Sequence, residues 1–258
     1  MKLYTIFILC FLLSFSVKAQ QDNEELARKA TDPTSLIWQL QLEDYWKIRS
    51  NQGDRNANDL RIRAVIPFEK SRFYPFEHLL RITTKWQIQY NGHQNLSDTE
   101  IFDLIIPRRY KWGAYSLGPI IQLPTYAPDN TAKANFAVGL AVGISFNNPD
   151  AKHWQLDILM RYLDSFNTGE DRISIFKLQP SLTYHIRNGY YLETEPVVSY
   201  DFYNDSYYIP INLRFGRAFT IQKQKINAYI EPEYGIWDST NTNPQWGIRF
   251  GWRFILYR

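Results

Sequence analysis

Charged side chains recur at every second position along several stretches of this sequence. They form one set: Arg61 and Arg63, Arg81 and Lys85, Asp157 and Arg161, Lys177 and His185, Glu193, Glu195 and Asp201, Arg214, Glu231 and Glu233, Arg249 and Arg253. Such a set can fill a polar interior with ion pairs, or it can line a water-filled channel and select solutes by charge. It could also hold a catalytic group. His185 shares a strand face with Ser181 and Thr183, and a nucleophile would need a hydroxyl within reach of that imidazole and a third group orienting it. Neighbouring same-face positions arise from alternation alone, however, and no flanking motif of a known lipid hydrolase accompanies them. No catalytic residue is therefore assigned, and His185 reads as an inward hydrogen-bonding side chain. No His/Glu spacing suits a metal. The glycines between 135 and 145 sit in an alternating stretch rather than before a helix, so no phosphate loop and no cofactor are expected.

The elements that would position these residues are long strands. Leu80, Ile82, Thr84, Trp86, Ile88 and Tyr90 alternate with Arg81, Thr83, Lys85, Gln87 and Gln89. Period two marks a strand whose two faces meet unlike surroundings. Trp246, Ile248, Phe250, Trp252, Phe254 and Leu256 repeat it against Gly247, Arg249, Gly251 and Arg253, and Phe136 to Phe146 sets large apolar residues against Ala, Gly and Ser. The same reading predicts strands near 35–48, 59–68, 79–91, 99–107, 111–124, 134–147, 153–165, 173–187, 189–202, 207–218, 225–237 and 245–257. The fourth has the weakest alternation, blurred by Leu104-Ile105-Ile106. About twelve strands of this length fit a transmembrane antiparallel β-barrel, in which lipid-facing and inward residues alternate. Short connections at Arg187-Asn188-Gly189 and Arg108-Arg109-Tyr110 fall on one side. Longer polar ones at Asn51–Asn58, Thr125–Lys133, Phe166–Arg172 and Asp238–Pro244 fall on the other, as expected for periplasmic turns and extracellular loops. Glu69–Phe76 is a long connection on the short side.

The start of the chain agrees with export. Met1-Lys2, an apolar run from Leu3 to Val17 and the small residues at Val17-Lys18-Ala19 have the order of a secretory signal peptide, here residues 1–19. Residues 20–34 form a short polar periplasmic segment, and 35–258 the barrel. Cys10 is the only cysteine, so the exported chain carries no disulfide or thiolate site. Without Lys2 and Lys18 the chain has 27 basic and 26 acidic residues, a balance that speaks against nucleic acid. Aromatic content of 16% with a mean hydropathy of −0.40 leaves a soluble β-protein or a membrane barrel. A soluble sandwich or lipocalin-like barrel would have shorter strands with apolar residues inside; here the polar face carries the charges and Trp or Tyr recurs near strand ends. About 240 exported residues leave no room for a plug domain in front of the barrel.

Several stretches resemble a family of exported bacterial proteins named for a gene of the meta-cleavage pathway of phenol degradation. They are Glu25-Leu26-Ala27-Arg28-Lys29-Ala30 with Asp32-Pro33 and Ser35-Leu36-Ile37, Gly118-Pro119-Ile120-Ile121-Gln122-Leu123-Pro124-Thr125, and Leu178-Gln179-Pro180. Asn188-Gly189-Tyr190-Tyr191-Leu192 with Glu195-Pro196, Gly216-Arg217-Ala218-Phe219 and Gln222-Lys223-Gln224-Lys225-Ile226-Asn227 complete the set. The resemblance implies an outer-membrane transporter passing small hydrophobic or aromatic molecules. One departure is the end of the chain, Leu256-Tyr257-Arg258, where many barrels finish on an aromatic; recognition by the barrel-insertion machinery would then rest on Trp252 and Phe254.

The sequence thus predicts an outer-membrane barrel in contact with lipid, acting as a passive channel or transporter for an unidentified small solute. A closed structural or surface-interaction barrel is the alternative, and a lipid-modifying enzyme comes third. Within the interior, a turn centred near Asn204-Asp205 would place Glu195 opposite Arg214. One centred near Asn241 would place Glu233 opposite Arg249.

Overall fold

The computed structural model describes residues 20–50, 57–88, 94–124, 136–146, 153–165, 172–240 and 243–256. The expected signal segment and most of the long loops of the far side lie outside them. Among the described residues the chain forms one helix, α1 (Gln20–Thr31), and a closed twelve-stranded antiparallel barrel. The strands are β1 (Trp38–Ser50), β2 (Ala57–Phe68), β3 (Glu77–Ile88), β4 (Thr99–Ile106), β5 (Gly113–Leu123) and β6 (Ala137–Phe146). They continue as β7 (Trp154–Ser165), β8 (Ser174–His185), β9 (Tyr190–Thr194 resumed by Val198–Asp201), β10 (Ser206–Asn212 resumed by Arg214–Ile221), β11 (Gln224–Asp238) and β12 (Pro244–Leu256). A short segment, Gln94–Leu96, pairs with β3 ahead of β4. Each strand pairs with its sequence neighbours, and β1 closes on β12 from Trp38↔Leu256 to Ser50↔Pro244.

Closure matters because no strand edge is left to be satisfied by solvent, the condition for β-structure in hydrocarbon. The outer face is apolar along its length: Leu40, Leu60, Ile62, Trp86, Leu140, Leu182, Leu192, Phe215 and Trp246 are all exposed. Exposed apolar surface on that scale needs an apolar surround. His78 is an outward exception. It starts β3, lies 2.8 Å from the Asp103 carboxylate through Nδ1, and sits between the rings of Phe68 and Tyr74.

Two features depart from the sequence reading. The short polar segment at residues 20–34 carries a helix that packs inward. Leu26, Ala27 and Ala30 fall on one face of α1 and are buried against Tyr191, Ala218 and Ile255, inside the mouth where β1 begins and β12 ends. Arg253 donates to the Ala30 carbonyl at 2.8 Å, Ser145 to Asp32 at 3.4 Å, Thr31 to Gln155 at 3.2 Å and Arg109 to the Thr34 carbonyl at 2.6 Å. One helix, and no domain, thus sits in the mouth among the described residues; its Leu and Ala face is too short to stand out among Glu, Arg and Lys. The interior is also not polar all round. Leu79, Phe102, Leu104, Ile106, Ile120, Leu159 and Leu163 form a buried apolar patch on the inner side of β3 to β7. Inward Leu104 and Ile106 are the reason β4 alternates so weakly.

The interior of β9 to β12 and β1 is built on tyrosine rings laid over glycines. A Cβ on Gly251 would stand 2.1 Å from Tyr229 Cζ, one on Gly216 2.3 Å from Tyr191 Cζ, and one on Gly247 2.4 Å from Tyr45 Cε2. Only the missing side chain lets each ring lie flat against the neighbouring strand and aim its hydroxyl sideways. Gly251→Ala should therefore lower the unfolding free energy by about 1–3 kcal/mol, the range for overpacking. Urea titration of the lipid-reconstituted protein checks it, and an unchanged midpoint would mean that the Tyr229 ring can swing clear.

Candidate functional site

The register of the ladders places the inner charges. Glu193 stands opposite Arg214, and Glu231 opposite Arg249. Both pairings are two residues away from the sequence expectation, because each turn is centred one residue earlier. Asp201 explains the first: its carboxylate accepts from the backbone N–H of Tyr203 and Asn204 and tightens the turn, so it serves the rim and not the deep interior. Asp238 does the same for the second, accepting from Thr240 and Asn243. The expected partners still meet diagonally. Arg214 reaches Glu195 at 2.9 Å as well as Glu193 and Glu231 at 2.5 Å, and Arg249 reaches Glu233 at 3.3 Å as well as Glu231.

These groups form a continuous network on β9 to β12 and β1. Glu231 is fully buried and accepts from Arg214, Arg249 and the Asn212 amide. Tyr45 donates to Glu233 at 2.6 Å and Tyr229 to Glu43 at 2.8 Å, while Arg249 and Arg214 lie 4.4 and 4.2 Å above those same rings. Glu43 also takes Arg61 at 2.6 Å, with Arg63 at 3.9 Å. Sequence reading missed Glu43 and Glu100, which stand on two strands where it named no inner charge, and missed both tyrosines, which look like membrane-interface aromatics until the fold shows them pointing inward.

The facing wall has a different balance. Arg161 and Lys177 share Glu100, at 2.7 and 3.7 Å, and Arg161 also donates to Gln179. Arg81 lies 4.0 Å above the Phe102 ring, with Nε buried and without a hydrogen-bond partner. Among the described residues neither Arg81 nor Lys85 has a carboxylate within ion-pair distance. On β1 to β4, β7 and β8 seven inward cations (Lys47, Arg61, Arg63, Arg81, Lys85, Arg161 and Lys177) thus face four carboxylates (Glu43, Asp59, Glu100 and Asp157), whereas β9 to β12 set four glutamates against Arg214, Arg249 and Arg253. The interior carries a transverse field, positive on one side.

His185 is buried, with Nε2 3.3 Å from Gln155 Oε1 and Nδ1 unpartnered. Ser181 donates to Glu193 rather than to the imidazole, so the described residues assemble no hydroxyl–imidazole pair here. Asp157 is buried between Ser145 and Ser181 in the ladders, beneath α1. Between α1 and the charged groups, Arg63, Arg81 and Arg253 share a cavity of about 70 Å³ with Val65, Leu79, Phe102 and Leu104.

No family model and no curated protein sequence matches the chain. Solved structures do. The COG4313 outer membrane channel from Pseudomonas putida F1 superposes with a TM-score of 0.60 at 8% identity, over 87% of this chain and 97% of that one. The NanC porin gives 0.56 at 12% identity, over 86% and 100%, and the KdgM porin 0.54 at 14%, over 85% and 99%. At these identities the likeness is one of fold, that of outer-membrane channel barrels.

Arg214 is the hub whose loss would leave three buried carboxylates facing one another. Arg214→Met should cost about 3–5 kcal/mol, as removal of one partner from a buried ion network does. Urea titration in lipid measures it. A loss under about 1 kcal/mol, the worth of an exposed pair, would show that water screens the network.

Proposed function

We propose that the protein is a passive channel of the outer membrane for small solutes, with anions preferred, exported by its first nineteen residues and seated in lipid by the apolar belt. The observation that carries this reading is the cation excess on the inner wall of β2, β3, β7 and β8, with no carboxylate among the described residues within ion-pair distance of Arg81 or Lys85. In a narrow, low-dielectric passage unmatched charge attracts the opposite ion and repels its own kind. The fold of the channel barrels is consistent with it, and the sequence resemblance to the meta-pathway transporters adds the finer reading of solutes with an apolar or aromatic body. The inner patch at Leu79, Phe102 and Leu104 beside Arg63 and Arg81 suits such a body with one anionic end.

A closed resting state follows from α1. The cavity beside it, about 70 Å³, is smaller than the 150 Å³ apolar cavity known to hold benzene. A ring-sized solute passes only when α1 shifts. That same helix is the observation favouring the second reading, a barrel closed for good by its own side chains. Trp252 and Phe254 on β12 would serve the insertion machinery.

Planar-bilayer recording with a salt gradient separates the readings. The expected reversal potential favours chloride over potassium, Arg81→Glu with Lys85→Glu moves it toward potassium, and removal of residues 20–31 raises the conductance. Cation preference in the unaltered protein would overturn the anion reading, and silence from the shortened, folded protein would establish the closed barrel.

A further inference from the structure

The connection from Glu69 to Phe76 is long for the side on which it falls, and a channel has no need of it. At the same end of the barrel Gln222 and Lys223 alone join β10 to β11. The long connection leans over the lipid face. Tyr74 packs on the outward His78 at 4.8 Å between ring centroids, and Phe68 stacks on the same imidazole at 4.5 Å. The loop closes on itself, the Ser71 N–H donating to the Tyr74 carbonyl at 2.8 Å and the Tyr74 N–H to Ser71 Oγ at 3.1 Å. Arg72 and Phe73 are left at the tip. Phe73 is 95% exposed, more than any other large apolar side chain among the described residues.

The neighbouring connection, 107–112 between β4 and β5, leans the same way. Tyr110 stacks on Trp112 and on Tyr115, and Trp112 lies 5.3 Å from Phe146 on the outer face. The two connections leave adjacent strands at one height, where Glu77 stands opposite Ile106, and Arg109 bonds Glu77 at 2.7 Å across them. Arg109 is occupied by that contact and by the Thr34 carbonyl. The other four cations are not. Lys70, Arg72, Arg108 and Lys111 are exposed and, among the described residues, have no carboxylate within ion-pair distance. Against them the two connections carry one acid, Glu69.

Depth follows from the pair that His78 makes with Asp103 on the lipid-facing side of β3 and β4. An ionisable group there is costly at the bilayer midplane and cheap at the interface. The hydrocarbon therefore ends near this pair, and both connections lie in the headgroup layer, where Trp and Tyr are enriched. Cations in that layer attract anionic lipid, and the attraction fades within a Debye length.

We propose that the β2–β3 and β4–β5 connections form a seat for an anionic phospholipid of the phosphatidylglycerol class in the periplasmic leaflet. Lys70, Arg72, Arg108 and Lys111 supply the charge that holds its phosphate, and Phe73, Phe76 and Trp112 lie along the first carbons of its acyl chains. The occupant is a lipid and not a soluble anion, because the aromatic half of the patch is continuous with the apolar belt. The inference rests on the membrane reading of the barrel and is independent of transport: a barrel silent in conductance would still hold the lipid.

The test is native mass spectrometry of the protein released from nanodiscs of phosphatidylglycerol and phosphatidylcholine in equal amounts. The retained lipid should favour phosphatidylglycerol by about tenfold or more. Arg72→Gln with Arg108→Gln should lower that ratio about fivefold. Arg187→Gln with Lys223→Gln, on two other turns of the same end, should leave it unchanged. Equal retention of the two lipids by the unaltered protein overturns the proposal. So does an equal fall in both variants, which would mean a diffuse effect of charge. Phe73→Ser with Trp112→Ser should weaken retention of phosphatidylglycerol with the cations intact, and undiminished retention counts against the seat. Displacement of the lipid by soluble glycerol phosphate would identify a free-phosphate site and overturn the lipid assignment. In cells, Phe73→benzoylphenylalanine should crosslink to phospholipid on irradiation. Crosslinks to another protein, or to a second copy of this chain, in place of lipid would identify a protein interface and overturn the proposal.

Discussion

A strand that crosses a bilayer can give its backbone N–H and C=O groups only to neighbouring strands, because hydrocarbon offers no other partner. Closure of β1 on β12 meets that constraint for the whole sheet. The interior follows from it. Once the sheet is closed, alternation sends every second residue inward, and twelve strands gather many charges into a space too narrow to leave them apart. Arg214, Arg249, Glu43 and Glu231 must find one another there, and tyrosines laid over glycines supply the remaining hydrogen bonds.

The wall from β8 to β11 departs locally from that constraint where Pro180, Pro196, Pro210 and Pro232 interrupt its ladders. Among the described residues the other ladders are almost uninterrupted, so the aligned prolines stand out as a long stretch where sequence withholds donors from the wall. The mouth is sealed by different means. There α1 is held by the Arg253 side chain and a small apolar contact, and the residues after it by Arg109 and Ser145, none of which belongs to the ladder. The barrel therefore combines a rigid frame with two weakly attached parts, a helix across its axis and a loosened strip in its wall.

The charges divide in a comparable way. On β9 to β12 Arg214 and Arg249 are matched by glutamates and locked in place, which favours rigidity. On β2, β3, β7 and β8 cations outnumber carboxylates, and Arg81 has only a phenyl ring beneath it. Groups that are fully paired hold a shape, and groups that are not can still receive a solute.

The sequence by itself determined the strand count, the inward and outward faces and the side on which the long loops fall. These depend on alternation and turn residues, both local properties of the chain. It also named most of the inner charges, since inward parity is readable at Arg81, Glu193 or Arg249 without knowing any partner. Only the tertiary structure decided who pairs with whom, because a turn centre one residue earlier shifts every partner by two, and each turn holds several residues of capping type, Asp201, Asn204 and Asp205 in the first, among which residue type alone does not choose. Closure likewise brought the helix of Leu26, Ala27 and Ala30 into the mouth, turned Tyr45 and Tyr229 inward over glycines, and aligned four prolines far apart in sequence at one height in the wall. Each of these depends on register between strands, a quantity that no single strand contains.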